Sequence, residues 1–191
     1  MSADPATIAF YQAQAAQHTA RFGKVHSRHL DAFLDRLTPG ATILELGCGG
    51  GRDAARMREP GFMVDATDAA PAMVQQANDR FHLGARIMRF DELAAVDAYD
   101  AVWAHACLIH VTRDDLPDAL STIGRALKRG GLHYASFKLG NAEQRDLLGR
   151  LHNFPTVNGS RRPIVLRSLK SLTCRSFGAA APMGSCATGR R

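Results

Sequence analysis

ILELGCGGGRD, residues 43–53, decides the fold, because an apolar run leads straight into a cluster of glycines. The run over residues 41–46 has the composition of a short buried strand, and residues 52–59 suit a helix. Glycine has no Cβ, so the turn between them can adopt positive φ and bring its N–H groups close to a ligand. Together with the following helix N-terminus, the turn is predicted to hold an anionic or polar ligand, the alternative being a tight turn without one.

The rest of the chain alternates in the same way between apolar strands and helices. Helices are predicted over residues 7–22, 24–37, 52–59, 71–81 and 116–128, and strands over residues 41–46, 62–67, 86–90, 99–105 and 132–138. Strands that alternate with helices form a parallel sheet with right-handed crossovers. The expected fold class is therefore α/β, a Rossmann-like doubly wound, mainly parallel sheet with helices on both faces. Ligands of such sheets bind at the carboxyl ends of the strands, where the glycine turn lies.

The charge of the chain is unevenly distributed. The chain has 24 Lys and Arg residues against 18 Asp and Glu residues, for a formal net charge of +6. Asp146 is the last acidic residue and eight basic residues follow it, which leaves 16 basic against 18 acidic side chains in residues 1–146. The basic character therefore belongs to the C-terminal tail, and the body gives no sign of a nucleic-acid surface.

The start of the chain and its cysteines indicate a cytoplasmic protein. Residues 1–17 lack the basic start and the apolar run of a secretion signal. The sequence has no stretch that approaches the roughly 20 apolar residues of a membrane helix. The four cysteines are expected to be reduced thiols without metal-ligand spacing: Cys48, Cys107, Cys174 and Cys186. We therefore expect neither a metal site nor a membrane partner.

The residues around the glycines indicate which ligand they hold. A dinucleotide-binding turn, GxGxxG, needs a third glycine at the position that Arg52 occupies, and the phosphate-loop pattern GxxxxGK is missing from the sequence. An acid instead stands two residues before the first glycine, in Glu45-Leu46-Gly47-Cys48-Gly49. This stretch resembles motif I of the class I S-adenosylmethionine-dependent methyltransferases, an acidic residue followed by xGxG.

Four later stretches continue the resemblance in the order in which the family has them. They are VDATDAAPAMV (64–74), MRFDEL (88–93), YDAVWAHACLIHV (99–111) and ALKRGGLHYASFKLG (126–140). The chain looks most like the small bacterial methyltransferases of the type-11 or tellurite-resistance-like kind, over about residues 7–155. Each motif alone is weakly specific, but five motifs in the right order are specific together.

The resemblance implies S-adenosyl-L-methionine as the cofactor and assigns contacts to it. The implied cofactor-binding residues are Tyr11, Glu45, Gly47, Cys48, Gly49, Arg52, Asp68, Ala69, Met73, Phe90, Asp91, Trp103 and Ala104. Asp68 takes the place of the acid that binds both ribose hydroxyls, with a helix N-cap as the alternative. Asp91 takes the place that meets the adenine amino group, with a surface acid as the alternative. Tyr11 resembles an aromatic residue that caps the cofactor, with core packing as the alternative.

The resemblance also implies in-line transfer of a methyl group to a small-molecule acceptor. Such a displacement needs alignment and desolvation more than acid–base groups. His110 is a candidate for deprotonating an acceptor, with a structural histidine at a helix start as the alternative. The stretch after strand four lacks the DPPY-like motif of nucleic-acid amino methyltransferases, so no nucleic-acid partner is expected.

Three segments are expected along the chain. They are an N-terminal helical segment (residues 1–40), the S-adenosylmethionine-binding methyltransferase domain (41–155) and a basic, atypical, disordered tail (156–191). The resemblance ends at GRLHNFP, residues 149–155, which is similar to the family's GRxYNYP stretch. Beyond it the acids disappear, and we expect the sheet to lack the usual C-terminal β-hairpin.

The composition of the tail leaves several interpretations open. A single frameshift near residues 155–157 would explain it, because a shifted frame of a GC-rich gene yields Arg, Ala, Gly and Ser. The alternative is a genuine basic tail that binds nucleic acid or a membrane. Two other functions accordingly stay open: a catalytically defective, cofactor-binding remnant and a nicotinamide-dependent oxidoreductase.

Overall fold

The computed structural model describes residues 4–23, 25–138, 140, 142–154, 164–167 and 175–176. The helices are α1 (Pro5–Phe22), α2 (Leu30–Leu34), α3 (Arg52–Arg58), α4 (Pro71–Phe81) and α5 (Leu116–Ala126). The strands are β1 (Thr42–Leu46), β2 (Met63–Asp68), β3 (Arg86–Ile87), β4 (Tyr99–Ala104), β5 (Leu127–Ala135), β6 (Glu143–Arg145), β7 (Leu151–Asn153), β8 (Ile164–Arg167) and β9 (Arg175–Ser176). None of the described helices is long and apolar enough to cross a membrane.

A mainly parallel sheet organises the chain, with the strand order β3-β2-β1-β4-β5-β8-β9. The first five strands in this order pair in parallel, and β1 lies between β2 and β4. The chain builds outward from β1 in one direction and returns to its other side with β4, so the strand order reverses at β1. The prediction of an α/β, Rossmann-like sheet is confirmed, and the reversal places the expected ligand crevice at the carboxyl end of β1.

Both faces of the sheet are buried because side chains alternate along each strand. Leu44 and Val102 point into an apolar cluster that includes residues of α5. Ile43 and Trp103 point into the opposite cluster, which includes residues of α2 and α3. These four side chains are fully buried, and each such burial contributes about 1.5–3 kcal/mol. The sheet therefore provides a rigid support for the strand ends.

The second helix is shorter than predicted. The sequence pattern predicts a helix over residues 24–37, whereas α2 covers Leu30–Leu34. The backbone N–H of Ser27 donates to Oδ1 of Asp53 at 2.8 Å, which anchors the preceding segment to the start of α3. A backbone group bonded to a distant carboxylate is unavailable to the helix ladder, so this tertiary contact overrides the helical propensity.

The third strand also ends early, because the chain turns away from the sheet after Ile87. The prediction was a strand over residues 86–90, but Phe90–Glu92 forms a 3₁₀ turn. The side chain of Glu92 accepts a hydrogen bond from the backbone N–H of Arg89 at 2.8 Å, closing that turn. Phe90 is thereby placed after the strand end rather than within the sheet.

The C-terminal part of the sheet corrects one expectation. We expected β5 to lack a closing hairpin, but β8 pairs antiparallel with β5, and β9 pairs antiparallel with β8. The exposed backbone groups of an edge strand are a ready partner for a short β-branched segment, and Ile164-Val165 provides one. The other residues from 155 onward, including Cys174, Cys186 and the proposed frameshift position, lie outside the described residues, and the expected segment boundaries stay predictions.

Candidate functional site

A cavity of about 830 Å³ lies over the carboxyl ends of the central strands. From the turn after β1 it is lined by Glu45, Gly47, Cys48, Gly49 and Arg52. Other implied residues that line it are Tyr11 on α1, Asp68, Ala69 and Met73 around the start of α4, and Phe90 after β3. His110, the candidate base, also lies in the wall. The cavity therefore brings most of the predicted site residues together.

The glycine turn needs glycine for two different reasons. Gly47 has φ +66°, and a Cβ there would lie 2.5 Å from Cβ of Cys107, so both backbone conformation and crowding exclude a side chain. Gly49 has φ +54°, but a Cβ there would meet no atom of the described residues within 4 Å. The backbone of the turn thus packs tightly against the segment after β4 at Gly47, while Gly49 borders open space in the cavity wall.

Asp68 is held in place at the end of β2 by two backbone donors. Its Oδ2 accepts from the N–H of Gly49 at 2.9 Å, and its Oδ1 accepts from the N–H of Ala70 at 2.9 Å. Burial raises the pKa of the Asp68 carboxyl, and these N–H donors oppose the rise. Each carboxylate oxygen has two lone pairs, so the fixed carboxylate keeps acceptor capacity for hydroxyl groups of a ligand.

Glu45 is a buried acid with an unsatisfied oxygen. Its side chain is 3% exposed, and its Oε2 has no hydrogen-bond partner among the described residues. Burial, and then the negative charges of Asp53 and Asp68, raise the pKa of Glu45 well above its usual value. A buried carboxylate oxygen without a partner is costly, so a cationic hydrogen-bond donor in the cavity would relieve this cost.

Asp53 contrasts with Glu45 because its carboxylate is fully engaged. It accepts from the N–H of Ser27 at 2.8 Å and from the indole Nε1 of Trp103 at 3.1 Å, and Arg52 lies 3.4 Å away. This acid therefore ties α3, β4 and the segment before α2 together, and we assign it a structural role.

Three of the implied cofactor residues do not line the cavity. Trp103 points to the face under α2 and α3 and stacks on Tyr134 at 3.9 Å, because alternation along β4 directs it there. Ala104 points to the opposite face, into the cluster with α5. Asp91 forms an ion pair with Arg89 at 3.1 Å in the 3₁₀ turn, as in the alternative interpretation of a surface acid. Phe90 and Met88, which lie close to Asp91 in the sequence, line the cavity.

His110 and Tyr11 form a polar network on the other side of the cavity. Nδ1 of His110 lies 2.6 Å from the carbonyl oxygen of Leu151, and its Nε2 lies 3.0 Å from the Tyr11 hydroxyl. That hydroxyl also accepts from Nη1 of Arg150 at 3.0 Å. Burial lowers the pKa of His110 to about 4, so its imidazole is neutral near pH 7.

Sequence reasoning missed part of the cavity wall. The missed residues include Thr19 on α1, Cys107 after β4, Lys138 after β5, and Arg150 and His152 at β7. The spacing on α1 is a usable signal, because Thr19 follows Tyr11 by eight residues, about two helical turns, on the same face. Lys138 follows a strand end, which is a second usable signal. Arg150 and His152 are brought to the cavity by contacts with residues that are distant in sequence, so no local sequence pattern predicts their place in the wall.

Comparisons with known proteins agree with this geometry. Residues 43–131 match the family model described as a methyltransferase domain. The chain is 33% identical over 123 residues to malonyl-acyl-carrier-protein O-methyltransferase of Salmonella typhimurium, covering 62% of this chain and 48% of that protein. It is 36% identical over 110 residues to ubiquinone biosynthesis O-methyltransferase of Xanthomonas campestris, covering 51% of this chain and 43% of that protein. The chain thus spans about half the length of the curated relatives that it matches.

A solved structure shares the fold over a larger part of the chain. It is the 1,6-didemethyltoxoflavin-N1-methyltransferase of Burkholderia thailandensis, with bound 1,6-didemethyltoxoflavin and S-adenosylhomocysteine, at 23% identity and a TM-score of 0.60. The match covers 77% of this chain and 70% of that one. Together with the motif order and the glycine turn after β1, these findings show that residues 43–131 are similar to a methyltransferase domain and that the chain has the fold of the class I S-adenosylmethionine-dependent methyltransferases.

Proposed function

We propose that this chain transfers a methyl group from S-adenosyl-L-methionine to a small-molecule acceptor by in-line displacement. The observation that carries the proposal is the unpartnered Oε2 of Glu45, which is buried in the same cavity wall as Asp68 and the glycine turn. The cofactor has a cationic amino-acid end and a ribose diol. A buried carboxylate with one unpartnered oxygen suits the first, and a carboxylate held by backbone N–H groups suits the second.

The roles of the remaining residues follow from their places in the wall. Glu45 accepts from the ammonium group, Asp68 from the ribose hydroxyls, and Gly49 leaves open space for the ligand. Met88 and Phe90 provide an apolar surface for the adenine ring. The bound cofactor supplies an activated methyl group, while the cavity excludes water and aligns the acceptor, which are the main needs of such a displacement.

The charge of the wall argues against a nicotinamide cofactor. A dinucleotide places its pyrophosphate on the glycine turn, where the N–H of Gly49 already donates to Asp68 and the Asp68 carboxylate would repel it. Arg52, at the position of the third glycine, is already engaged with Asp53 and with the carbonyl oxygen of Phe22. We therefore favour the sulfonium cofactor over a nicotinamide. The cavity volume of about 830 Å³ also suits a small acceptor.

Calorimetric titration tests the cofactor half of this proposal. S-adenosylhomocysteine is titrated into the wild-type chain, an Asp68→Ala variant and an Asp79→Ala control, which removes an exposed acid from α4. We expect saturable binding to the wild type and the control, and at least a tenfold weaker binding to Asp68→Ala. Equal binding by all three proteins would contradict the site, and tighter binding of NAD would favour the oxidoreductase.

Turnover tests the catalytic half and the alternative of a defective remnant. The wild-type chain is incubated with methyl-labelled S-adenosylmethionine and a panel of small phenols, carboxylic acids and amines. Transfer of label to any acceptor supports the enzyme. Binding of S-adenosylhomocysteine without transfer to any member of the panel would support the remnant.

A further inference from the structure

Two histidines meet at the end of the cavity formed by the turn after β4 and by β7, which we call the acceptor end. The rings of His110 and His152 contact edge to face with centroids 5.0 Å apart, and both residues line the cavity. Their hydrogen bonds differ, and the difference decides which ring can take up a proton.

His110 has no ring nitrogen available for a ligand. A carbonyl oxygen can only accept, so Nδ1 of His110 must donate its proton to Leu151 across 2.6 Å. Its Nε2 then carries the lone pair, which accepts from the hydroxyl of Tyr11 at 3.0 Å. The hydroxyl oxygen accepts in turn from Arg150. The sequence candidate for a base is therefore already satisfied by the protein.

His152 has one ring nitrogen without a partner. Its Nε2 lies 3.1 Å from Oδ2 of Asp146, a carboxylate that can only accept, so Nε2 carries the proton. The lone pair of the neutral ring is then on Nδ1, which is buried and has no hydrogen-bond partner among the described residues. The side chain of His152 is 2% exposed and stacks on Phe154 at 5.4 Å, so the ring orientation is fixed.

The charges around His152 keep its ring neutral near pH 7. Burial lowers the pKa of His152, and the positive charges of Lys138 and Arg150 lower it further, while Asp146 raises it. The other titratable groups nearby are His110 and, through Arg150, Tyr11. A neutral ring with an unpartnered lone pair can act as a base, whereas an imidazolium cannot.

Lys138 adds information about the acceptor atom. It follows β5 and lines the cavity, its side chain is exposed, and no ion pair involves it among the described residues. A positive charge near the base stabilises an oxygen that becomes an anion and repels a protonated amine. Oxygen is therefore favoured over nitrogen at this end.

We propose that the acceptor is a hydroxyl compound such as a phenol, and that Nδ1 of His152 accepts its proton during transfer. The inference rests on the proposed function. The acceptor's O–H bond breaks and its proton moves to Nδ1, while the oxygen bonds to the methyl carbon. The carbon–sulfur bond breaks with its electron pair on sulfur, and S-adenosylhomocysteine leaves. Asp146 is a positioning residue, because it fixes the proton on Nε2, and Lys138 faces the oxyanion.

Nitrogen-15 NMR tests the tautomer without turnover. The chain is labelled at histidine, saturated with S-adenosylhomocysteine and recorded at pH 7.5, and a His152→Gln variant assigns the resonance. We expect a neutral ring with the proton on Nε2 and an unprotonated Nδ1. A proton on Nδ1, in either a neutral or a charged ring, would overturn the proposal.

The rates of methylation of two types of acceptor test the role of His152 as the base. Catechol is protonated near pH 7 and needs a base, whereas benzoate is already ionised and does not. The wild type is compared with His152→Gln and His152→Leu. The matched control is His133→Leu, which also removes a buried histidine with an unpartnered nitrogen but lies outside the cavity wall.

Loss of the base removes a factor of about 10² to 10⁴ from hydroxyl methylation. We expect this loss for catechol in both His152 variants, together with loss of the acidic limb of the kcat/KM profile. Binding of S-adenosylhomocysteine should be unchanged, and His133→Leu should behave as the wild type. Unchanged catechol kinetics in His152→Gln, or methylation of benzoate but not catechol by the wild type, would overturn the proposal.

The failure of the proposed function has a different signature. If the wild type binds S-adenosylhomocysteine but methylates none of the acceptors, the proposed function fails and this inference falls with it. If the wild type is active and the His152 variants keep its pH profile, the inference alone fails.

Discussion

The cavity has a floor and a cover that are built in opposite ways. The floor, formed by the carboxyl ends of β1, β2 and β4 with the glycine turn, rests on fully buried apolar side chains. The cover consists of α1 and the β6–β7 hairpin, and polar contacts join these two parts, such as the 2.7 Å ion pair between Asp4 and Arg145. Leu151 likewise donates its N–H to Oγ1 of Thr7 at 2.9 Å.

This difference teaches which half of the site is fixed before a ligand arrives. Apolar burial is collective and insensitive to salt, so the floor keeps its geometry without the ligand. A partly exposed ion pair of this kind contributes about 1 kcal/mol or less, so the two parts of the cover are joined less strongly than the floor is packed.

The largest expected effect comes from disturbing the floor at Gly47. Gly47→Ala forces a Cβ into contact with Cys107 and strains a positive φ. Strain and overpacking together cost about 2–5 kcal/mol, so we expect both a lower melting temperature and loss of detectable S-adenosylhomocysteine binding. The matched control is Gly40→Ala, which has φ +76° but meets no atom within 4 Å and lies outside the cavity wall. Equal losses in the two variants would mean that crowding at Gly47 is unimportant.

Acid should weaken the sheet through His133, whose imidazole is buried and whose Nε2 has no partner in the part of the chain that the structure describes. Burial lowers the pKa of His133 to about 4, against 6.5 when unfolded. The unfolded chain therefore binds the proton first, and stability present above pH 6.5 falls as the pH falls towards 4. The loss reaches about 3 kcal/mol from this group. Urea titrations at pH 7.5 and 4.5 check it, and a wild-type loss no larger than that of His133→Leu would contradict it.

Cofactor binding should depend on pH through Glu45. Its pKa is raised in the free protein, and an ammonium group bound beside it favours the ionised carboxylate. Binding of S-adenosylhomocysteine should therefore tighten as the pH rises through that pKa, by up to about tenfold per unit. Calorimetry in buffers of different ionisation enthalpy would also detect the proton that Glu45 releases. A Glu45→Gln variant should bind S-adenosylhomocysteine more weakly and release no proton on binding. If the variant still released a proton, the release would belong to another group.

The smallest expected effect comes from the cover. Asp4→Asn removes the charge opposite Arg145 but keeps a good N-cap for α1, where Asp4 now accepts from the N–H of Thr7. We expect a stability loss of about 0.2–1 kcal/mol, with faster dissociation of S-adenosylhomocysteine in stopped flow. The wild type in 1 M salt should approach the variant, and Asp79→Asn serves as the charge-matched control. An unchanged dissociation rate would mean that the ion pair does not limit opening.

The same division explains how much of the protein could be predicted from its sequence. Every element of the floor has a local signal: the apolar run before Gly47, the acid Glu45 two residues ahead of it, and Asp68 at the end of the next strand. The local pattern also predicts α4 with its observed bounds, Pro71–Phe81. These features depend on neighbours in sequence, which pattern reasoning can see.

Contacts between distant residues account for what the sequence did not predict. Arg150 donates to the Tyr11 hydroxyl, 139 positions away in the sequence. The N–H of Ser27 donates to Asp53 and is therefore not part of a helix. The exclusion of Trp103 from the cavity depends on the face of β4 on which it falls, which a motif match does not specify. Backbone pairing of β8 with β5 likewise joins segments that share no local pattern.

The two buried thiols of the cavity wall allow exposure of that wall to be measured by chemical labelling. Cys48 and Cys107 are free, 6% and 7% exposed, and burial raises the pKa of both thiols. Only a thiolate that reaches water reacts readily with iodoacetamide, so the alkylation rate of these two thiols reports how often the surrounding wall exposes them. Peptide mass spectrometry that follows these two sites over time would convert the labelling rate into a free energy of opening, with and without the cofactor product bound.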